Sequence, residues 1–263
     1  MIGRSGNGAS GTPVPVVISW SSGKDAAYAL RTLQKDPRFV VVGLLSTVTD
    51  PFHRVAMHGV RETLLQRQAA ALGLPLELVR IPYPCPNHVY EERMAEVCQR
   101  LQGRGVRALA FGDLFLRDVR AYRESRLAGT GLTPIFPIWG RDTRRLAESM
   151  ILEGFGATLV CVDPRKVPAS WAGREFTTAL LDAMPAGVDP CGENGEFHTF
   201  VHAGPIFAAP LAVAPGPVVS RDGFVFADLD SADGSSDLSS SGRAAARTRR
   251  RASPKRRAPQ RSL

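Results

Sequence analysis

The chain has 263 residues, with 33 lysines and arginines against 25 acids, five histidines, four cysteines and a formal net charge of +8. That length suits one large domain or two small ones and can bury a sizeable core. It contains no run of about 18 apolar residues to span a membrane, and residues 1–12 lack the apolar stretch of a secretory signal.

Cys85, Cys98, Cys161 and Cys191 form no Cys-x-x-Cys pair. This argues against disulfide and zinc frameworks and points to a reducing, cytoplasmic setting. The charge is unevenly spread. Nine basic residues and no acidic one lie in residues 243–263, which against +8 leaves −1 for everything else. The basic character thus belongs to a tail, expected to be disordered over residues 229–263. Any attachment to nucleic acid or anionic lipid is expected through that tail alone.

Residues 1–13 read as a flexible leader. Gly6-Asn7-Gly8-Ala9-Ser10-Gly11 spells a dinucleotide fingerprint but precedes the first strand and opens no helix, so it is not read as one. Residues 14–20 are short, β-branched and apolar and predict a buried parallel strand. Ser21-Ser22-Gly23-Lys24-Asp25 follows as a tight polar turn. Ala26, Ala27, Leu30 and Leu33 then recur at helical spacing until Pro37. Strand, turn and helix together make a phosphate-binding geometry: unpaired helix amides, a favourable dipole, a glycine allowing close approach and a lysine charge. A Walker A loop is excluded, because no glycine stands five residues before Gly23.

A second strand is expected over residues 39–46, ending in a polar turn at Thr47-Val48-Thr49-Asp50-Pro51. A helix over about 60–72, a strand over 74–81, a helix capped by Asn87 and running towards Gly103, and a strand over 106–111 come next. This β-α-β-α rhythm specifies an α/β fold with a doubly wound parallel sheet, whose ligands bind beyond the carboxyl ends of the strands. Residues 21–25, 47–50 and Gly112-Asp113 all fall at that edge. We place the first domain at 14–115. Residues 116–228 form a smaller α/β module expected to roof the site: a charged helix from Arg117 to Arg126, a Pro-broken apolar segment at 133–139, a helix at 143–153, a strand at 157–163 and a helix at 176–184.

Asp189-Pro190-Cys191-Gly192-Glu193-Asn194-Gly195-Glu196-Phe197-His198-Thr199 is dense in chemistry and rich in turns. If Glu196 onward is extended, alternation puts Glu196, His198 and Phe200 on one face, where the carboxylate can orient the imidazole and raise its pKa. The alternative is a polar hairpin whose Glu and His satisfy backbone donors. A metal site is disfavoured here, since His202 and His198 lack a third strong ligand.

The loop at 21–25 resembles the Ser-Gly-Gly-Lys-Asp-Ser signature of the PP-loop ATP pyrophosphatases (HUP fold), with Ser22 in place of a glycine and Ala26 in place of a serine. Together with Gly112-Asp113, the arginines at 120–126, Pro134-Ile135-Phe136-Pro137-Ile138-Trp139, Glu153-Gly154-Phe155, the block at 192–199 and Gly204-Pro205-Ile206-Phe207, it is similar in order and spacing to the diphthine–ammonia ligase (diphthamide synthase) family over roughly residues 14–210. A composition heavy in Ala, Arg, Gly and Pro suggests a bacterial-type member.

The resemblance implies an ATP-dependent ligase that activates a carboxylate as an acyl-adenylate, releases pyrophosphate and lets ammonia displace AMP. It implies nucleotide binding by Ser19, Ser21, Ser22, Gly23, Lys24, Asp25, Thr47, Gly112 and Asp113. Lys24, Glu196 and His198 would be catalytic, and Arg120, Arg123 and Glu193 would hold substrate. Mg²⁺ would be held by Asp25 or Asp113. ATP and Mg²⁺ are thus the expected cofactors, with ammonia and a small or protein-borne carboxylate as partners. Two other readings stay open: adenylation or α-phosphate hydrolysis for another substrate, and nucleotide binding without turnover.

Overall fold

The computed structural model describes residues 11–232. The chain opens with β1 (Val14–Ser19), whose Val16, Val17 and Ile18 are all buried, and α1 (Lys24–Gln34), capped by Gly23. β2 (Phe39–Thr49) is followed by the short antiparallel β3 (Arg54–Val55), then α2 (Glu62–Leu72) and β4 (Leu76–Ile81). Next come α3 (Asn87–Gly103), β5 (Ala108–Ala110), α4 (Arg117–Leu127), β6 (Thr133–Ile135) and α5 (Thr143–Leu152). The last elements are β7 (Gly156–Val162), α6 (Thr178–Asp182), β8 (Phe197–Ala203), β9 (Val213–Arg221) and β10 (Phe224–Ser231).

Six strands form the first sheet in the order β3-β2-β1-β5-β6, with β4 also beside β2. All but β3 run parallel. Alternate residues of β1 face opposite layers. Val16 and Ile18 pack with Ala27, Leu30 and Leu65 of α1 and α2, while Val17 packs with Val97, Cys98 and Leu101 of α3. Both faces are therefore covered, which is the doubly wound arrangement expected for continuous apolar strands. The second sheet, β8-β7-β10-β9, is antiparallel throughout. Its Leu159, Phe200 and Val201 join the same core cluster as Leu30 and Leu64, so α1 and α2 lie between the two sheets.

Several details differ from the sequence expectation. Thr47, Val48 and Thr49, expected in a turn, continue the β2 ladder opposite Val79, Arg80 and Ile81. Burial of Val48 against the core holds the strand straight past Ser46. Asn87 is the first helical residue of α3, and Pro86 stands at the cap with φ −65°. Residues 133–135 add an edge strand to the first sheet, where the missing N–H of Pro134 is tolerated; that sheet therefore draws a strand from beyond residue 115. β10 runs to Ser231, into the segment expected to be tail. The expected leader up to residue 10 and the basic stretch at 243–263 lie outside the described residues. No helix among the described residues is long and apolar enough to cross a membrane.

Candidate active site

The loop between β1 and α1 takes an unusual shape. Ser22 has φ 70°, the left-handed region in which a side chain costs about 1 kcal/mol. The glycine of the resembling signature would carry no such strain. The Ser22 hydroxyl is buried without a hydrogen-bond partner among the described residues. Gly23 is extended (φ −90°), so its lack of a side chain serves space: a Cβ there would lie 3.1 Å from the Thr199 carbonyl oxygen and 3.3 Å from His58 Cε1. Gly112 acts similarly at the end of β5, where a Cβ would stand 2.9 Å from the Ala26 nitrogen. Among the described residues no backbone acceptor takes the amides of Ser21, Ser22 and Gly23.

β8 clamps this loop from the other sheet. The Val201 amide donates to the Ser22 carbonyl at 2.9 Å, and the Lys24 amide donates to the Thr199 hydroxyl at 3.1 Å. The expected anion-facing amide of Lys24 is thus already engaged. Gln68 of α2 ties the junction, its amide nitrogen bonding the carbonyls of Ser22 (3.1 Å) and Val201 (2.6 Å). Gln68 also accepts from the Trp20 indole at 2.8 Å. Ser19 ends β1, and Thr47 lies within β2 with its carbonyl taken by the Ala56 amide.

Lys24 points inward. Only 2 % exposed, its ammonium donates to both Asp25 carboxylate oxygens (3.1 and 2.9 Å) and to the Cys191 carbonyl, and it sits 5.2 Å from the ring centroids of Phe176 and Phe197. Burial pulls its pKa down, but Asp25, with help from Cys191 and Asp189, outweighs that and raises it. Burial raises the Asp25 carboxyl against the opposing pull of Lys24. The pair satisfies itself as ammonium and carboxylate, in the charge-assisted geometry that makes such bonds strong. The aromatic slot between Phe176 and Phe197 fixes the Lys24 ammonium in place.

The turn at 189–196 is held by its own acids. Asp189 Oδ2 accepts from the amides of Cys191 and Glu193, and Glu196 Oε1 accepts from the Asp189 amide and the Asn194 side chain. Glu196 precedes β8 and is buried within this turn, with its second oxygen unpartnered among the described residues. The expected Glu196–His198 partnership is therefore replaced: the hydrogen bonds of Glu196 go to the turn, and His198 stacks on His58 at 4.4 Å. Its pKa falls instead of rising, to about 4, through burial and then Lys24.

Glu193 Oε1 accepts from the Leu114 amide at 2.7 Å. Burial pushes this carboxyl up to about 7 despite that bond, with Asp25 and Asp113 adding to the rise. Glu193 thus brings a carboxyl of near-neutral pKa beside the Gly112-Asp113 edge.

Arg123 grips both Asp113 oxygens (2.5 and 3.0 Å) and stacks on Phe111. Arg120 pairs with Glu124 and covers Phe136 and Trp139. No group of three or more His, Cys, Asp or Glu among the described residues is arranged to hold a metal. Mg²⁺ that arrives with a nucleotide needs only one or two carboxylates beyond phosphate oxygens. Asp25, with 27 % of its side chain exposed, fits that requirement better than the more enclosed Asp113.

Two residues of this junction escape sequence reasoning. His58 lies in a stretch without helical or strand periodicity. Gln68 carried a readable signal: a polar residue on the same face as Leu64 and Leu65, where α2 is buried.

Residues 142–222, from the Asp142 cap of α5 to the end of β9, match the family model described as the diphthamide synthase C-terminal domain. The chain is also 24 % identical over 236 residues to diphthine–ammonia ligase from Rattus norvegicus, covering 80 % of this chain and 86 % of that protein. The first match covers the β8 clamp and its turn. The chain is thus similar to the diphthamide synthase family through its C-terminal domain and, at low identity, to a diphthine–ammonia ligase over most of its length.

Proposed function

We propose that the protein is an ATP-dependent amide ligase of the PP-loop type, acting in the cytoplasm. It activates a carboxylate as an acyl-adenylate, with release of pyrophosphate, and passes the acyl group to ammonia. The observation that carries this reading is the meeting of the Ser21–Asp25 turn with the 191–201 segment, through Lys24 to Cys191 and Thr199 and through Ser22 to Val201. The amides of Ser21, Ser22 and Gly23 at the mouth of α1 suit the outer phosphates. Lys24 supplies buried positive charge where pyrophosphate leaves. Mg²⁺, bound with the nucleotide and touching Asp25 or Asp113, would screen phosphate charge. Glu193 and Arg123 line the same edge and are assigned to the acceptor; Arg120, wrapped on Phe136 and Trp139, shapes its rim.

The test uses ATP labelled at the α phosphate, with ammonium and either diphthine or simpler carboxylic acids. AMP and pyrophosphate formed only in the presence of an acid support the ligase, and release of ADP overturns it. Products independent of any acid would favour adenylate chemistry on another substrate.

One observation favours a second reading, nucleotide binding without turnover. The ammonium of Lys24 is already bonded to Asp25 and Cys191. Tight ATP binding without products under every acid tested would decide for it.

A further inference from the structure

A cavity of about 290 Å³ lies between the carboxyl ends of β2 and β4, which bring Thr49 and Tyr83, and the β9–β10 hairpin, which brings Arg221, Asp222 and Phe226. It is separate from the edge assigned to the acceptor. β2 and β4 lie to one side of β1, whereas β5, whose end leads to Asp113 and its partner Arg123, lies to the other.

The walls of this cavity are aromatic. Phe52 and Tyr83 stand 5.1 Å apart, 40 and 55 % exposed, and Phe226 faces the same space. Exposed rings gathered around a concavity of this size are the form of a small-molecule site.

Two arginines line it, and they differ in how far they are engaged. Arg54 donates to Asp228 and to the Gly59 carbonyl, at 2.8 and 2.7 Å. Arg221 lies over the rings of Phe52 and Phe226, 5.3 and 4.9 Å from their centroids, and its guanidinium makes no hydrogen bond among the described residues. Asp222 stands 3.8 Å from its Nε, and that carboxylate accepts from the Tyr83 hydroxyl at 3.0 Å. A guanidinium held by its faces keeps a fixed orientation and leaves its in-plane N–H donors open, which is the fork a carboxylate fits.

We propose that this cavity is a second ligand site, which binds a flat aromatic carboxylate. The ring lies against Phe52, Tyr83 and Phe226, and the carboxylate takes the open donors of Arg221. The site goes beyond the ligase reading and does not depend on it. A cationic ligand is disfavoured because Phe52 and Phe226 already hold a cation, and a neutral ring of the same shape leaves Arg221 unpaired.

2-Naphthoate and 2-naphthamide share a shape, fluoresce and differ in charge. Their binding to the full chain is followed by fluorescence anisotropy, with and without ATP and Mg²⁺. The acid is expected to bind about ten-fold more tightly than the amide, the size of one charged hydrogen-bonded contact. Arg221→Gln should remove that preference while amide binding persists, which also shows the cavity intact. Phe52→Leu should weaken both ligands.

Equal affinity of the unaltered protein for acid and amide overturns the proposal, and this comparison needs no variant to fold. A preference for the acid that survives Arg221→Gln overturns it too. The rival occupant is the nucleotide base, since His198 lines the cavity and the next residue, Thr199, accepts from the Lys24 amide. Displacement of 2-naphthoate by saturating ATP would give the cavity to that base and remove the separate site.

Discussion

The Val201 amide donates to the Ser22 carbonyl at 2.9 Å, joining a strand of the antiparallel sheet to the turn that ends the first strand of the parallel one. A loop in the left-handed conformation at Ser22 has few local hydrogen bonds to hold it, so its shape depends on this reach across 179 residues of sequence. Gln68, bonded to both carbonyls of that junction, is the natural place to test the dependence.

Gln68→Leu keeps the volume of the side chain but leaves the buried Trp20 indole N–H without its partner and removes one bond from each of the Ser22 and Val201 carbonyls. An unsatisfied buried group costs about 1–3 kcal/mol. Urea unfolding should show a loss of about 2–4 kcal/mol with an unchanged m-value. A loss under about 0.5 kcal/mol, the size of an ordinary surface change, would show that the junction is held elsewhere.

Ser22→Gly removes the left-handed strain and a buried hydroxyl without a partner. Part of the gain is offset by the freedom glycine adds to the unfolded chain. The expected result is a modest net stabilisation, up to about 1 kcal/mol. It is read from the urea midpoint, with ATP affinity retained in a fluorescence titration.

Lys24→Met leaves the half-buried Asp25 carboxylate without its cation. Breaking one side of a buried ion pair costs about 3–5 kcal/mol, whereas replacing both sides costs far less. Lys24→Met with Asp25→Asn should therefore be more stable than Lys24→Met alone, while neither releases pyrophosphate. A double-mutant cycle by urea denaturation measures the coupling.

Asp228 lies between Arg54 and Arg61, at 2.8 and 2.6 Å. Burial pushes its carboxyl up, but the two guanidinium groups outweigh that and hold it at about 2. A carboxyl depressed in the folded state stabilises at pH above its unfolded value of about 4 and loses that contribution as pH falls through its folded value. Stability should thus decline between about pH 4 and about pH 2, and Asp228→Asn should flatten this part of the urea-midpoint profile. A profile unchanged by the substitution would refute the assignment.

The parallel sheet was legible because its strands are continuous apolar runs separated by helical periodicity. The second sheet was less so. β9 carries Pro215, Gly216 and Pro217 and exposes most of its residues, so neither burial nor alternation marks it. β10 does alternate, with Val225, Ala227 and Leu229 buried, and could have been read as a strand. For the site, the glycine-spaced turns and dense polar chemistry identified both halves. Which atoms meet was not encoded locally. Alternation paired Glu196 with His198, but Glu196 sits before the strand begins and His198 finds its partner in His58, 140 positions earlier.

The order in which the chain is made gives the clamp one more consequence. Emerging from the ribosome, residues 14–135 contain every strand of the parallel sheet, and domains generally fold as units from the N-terminus. Yet Thr199 and Val201 are still unsynthesised at that moment, and Ser22 and Lys24 lack the contacts that shape them. A nascent chain at this stage has an unfinished turn, and the ability to grip a triphosphate should appear late in translation, when β8 arrives.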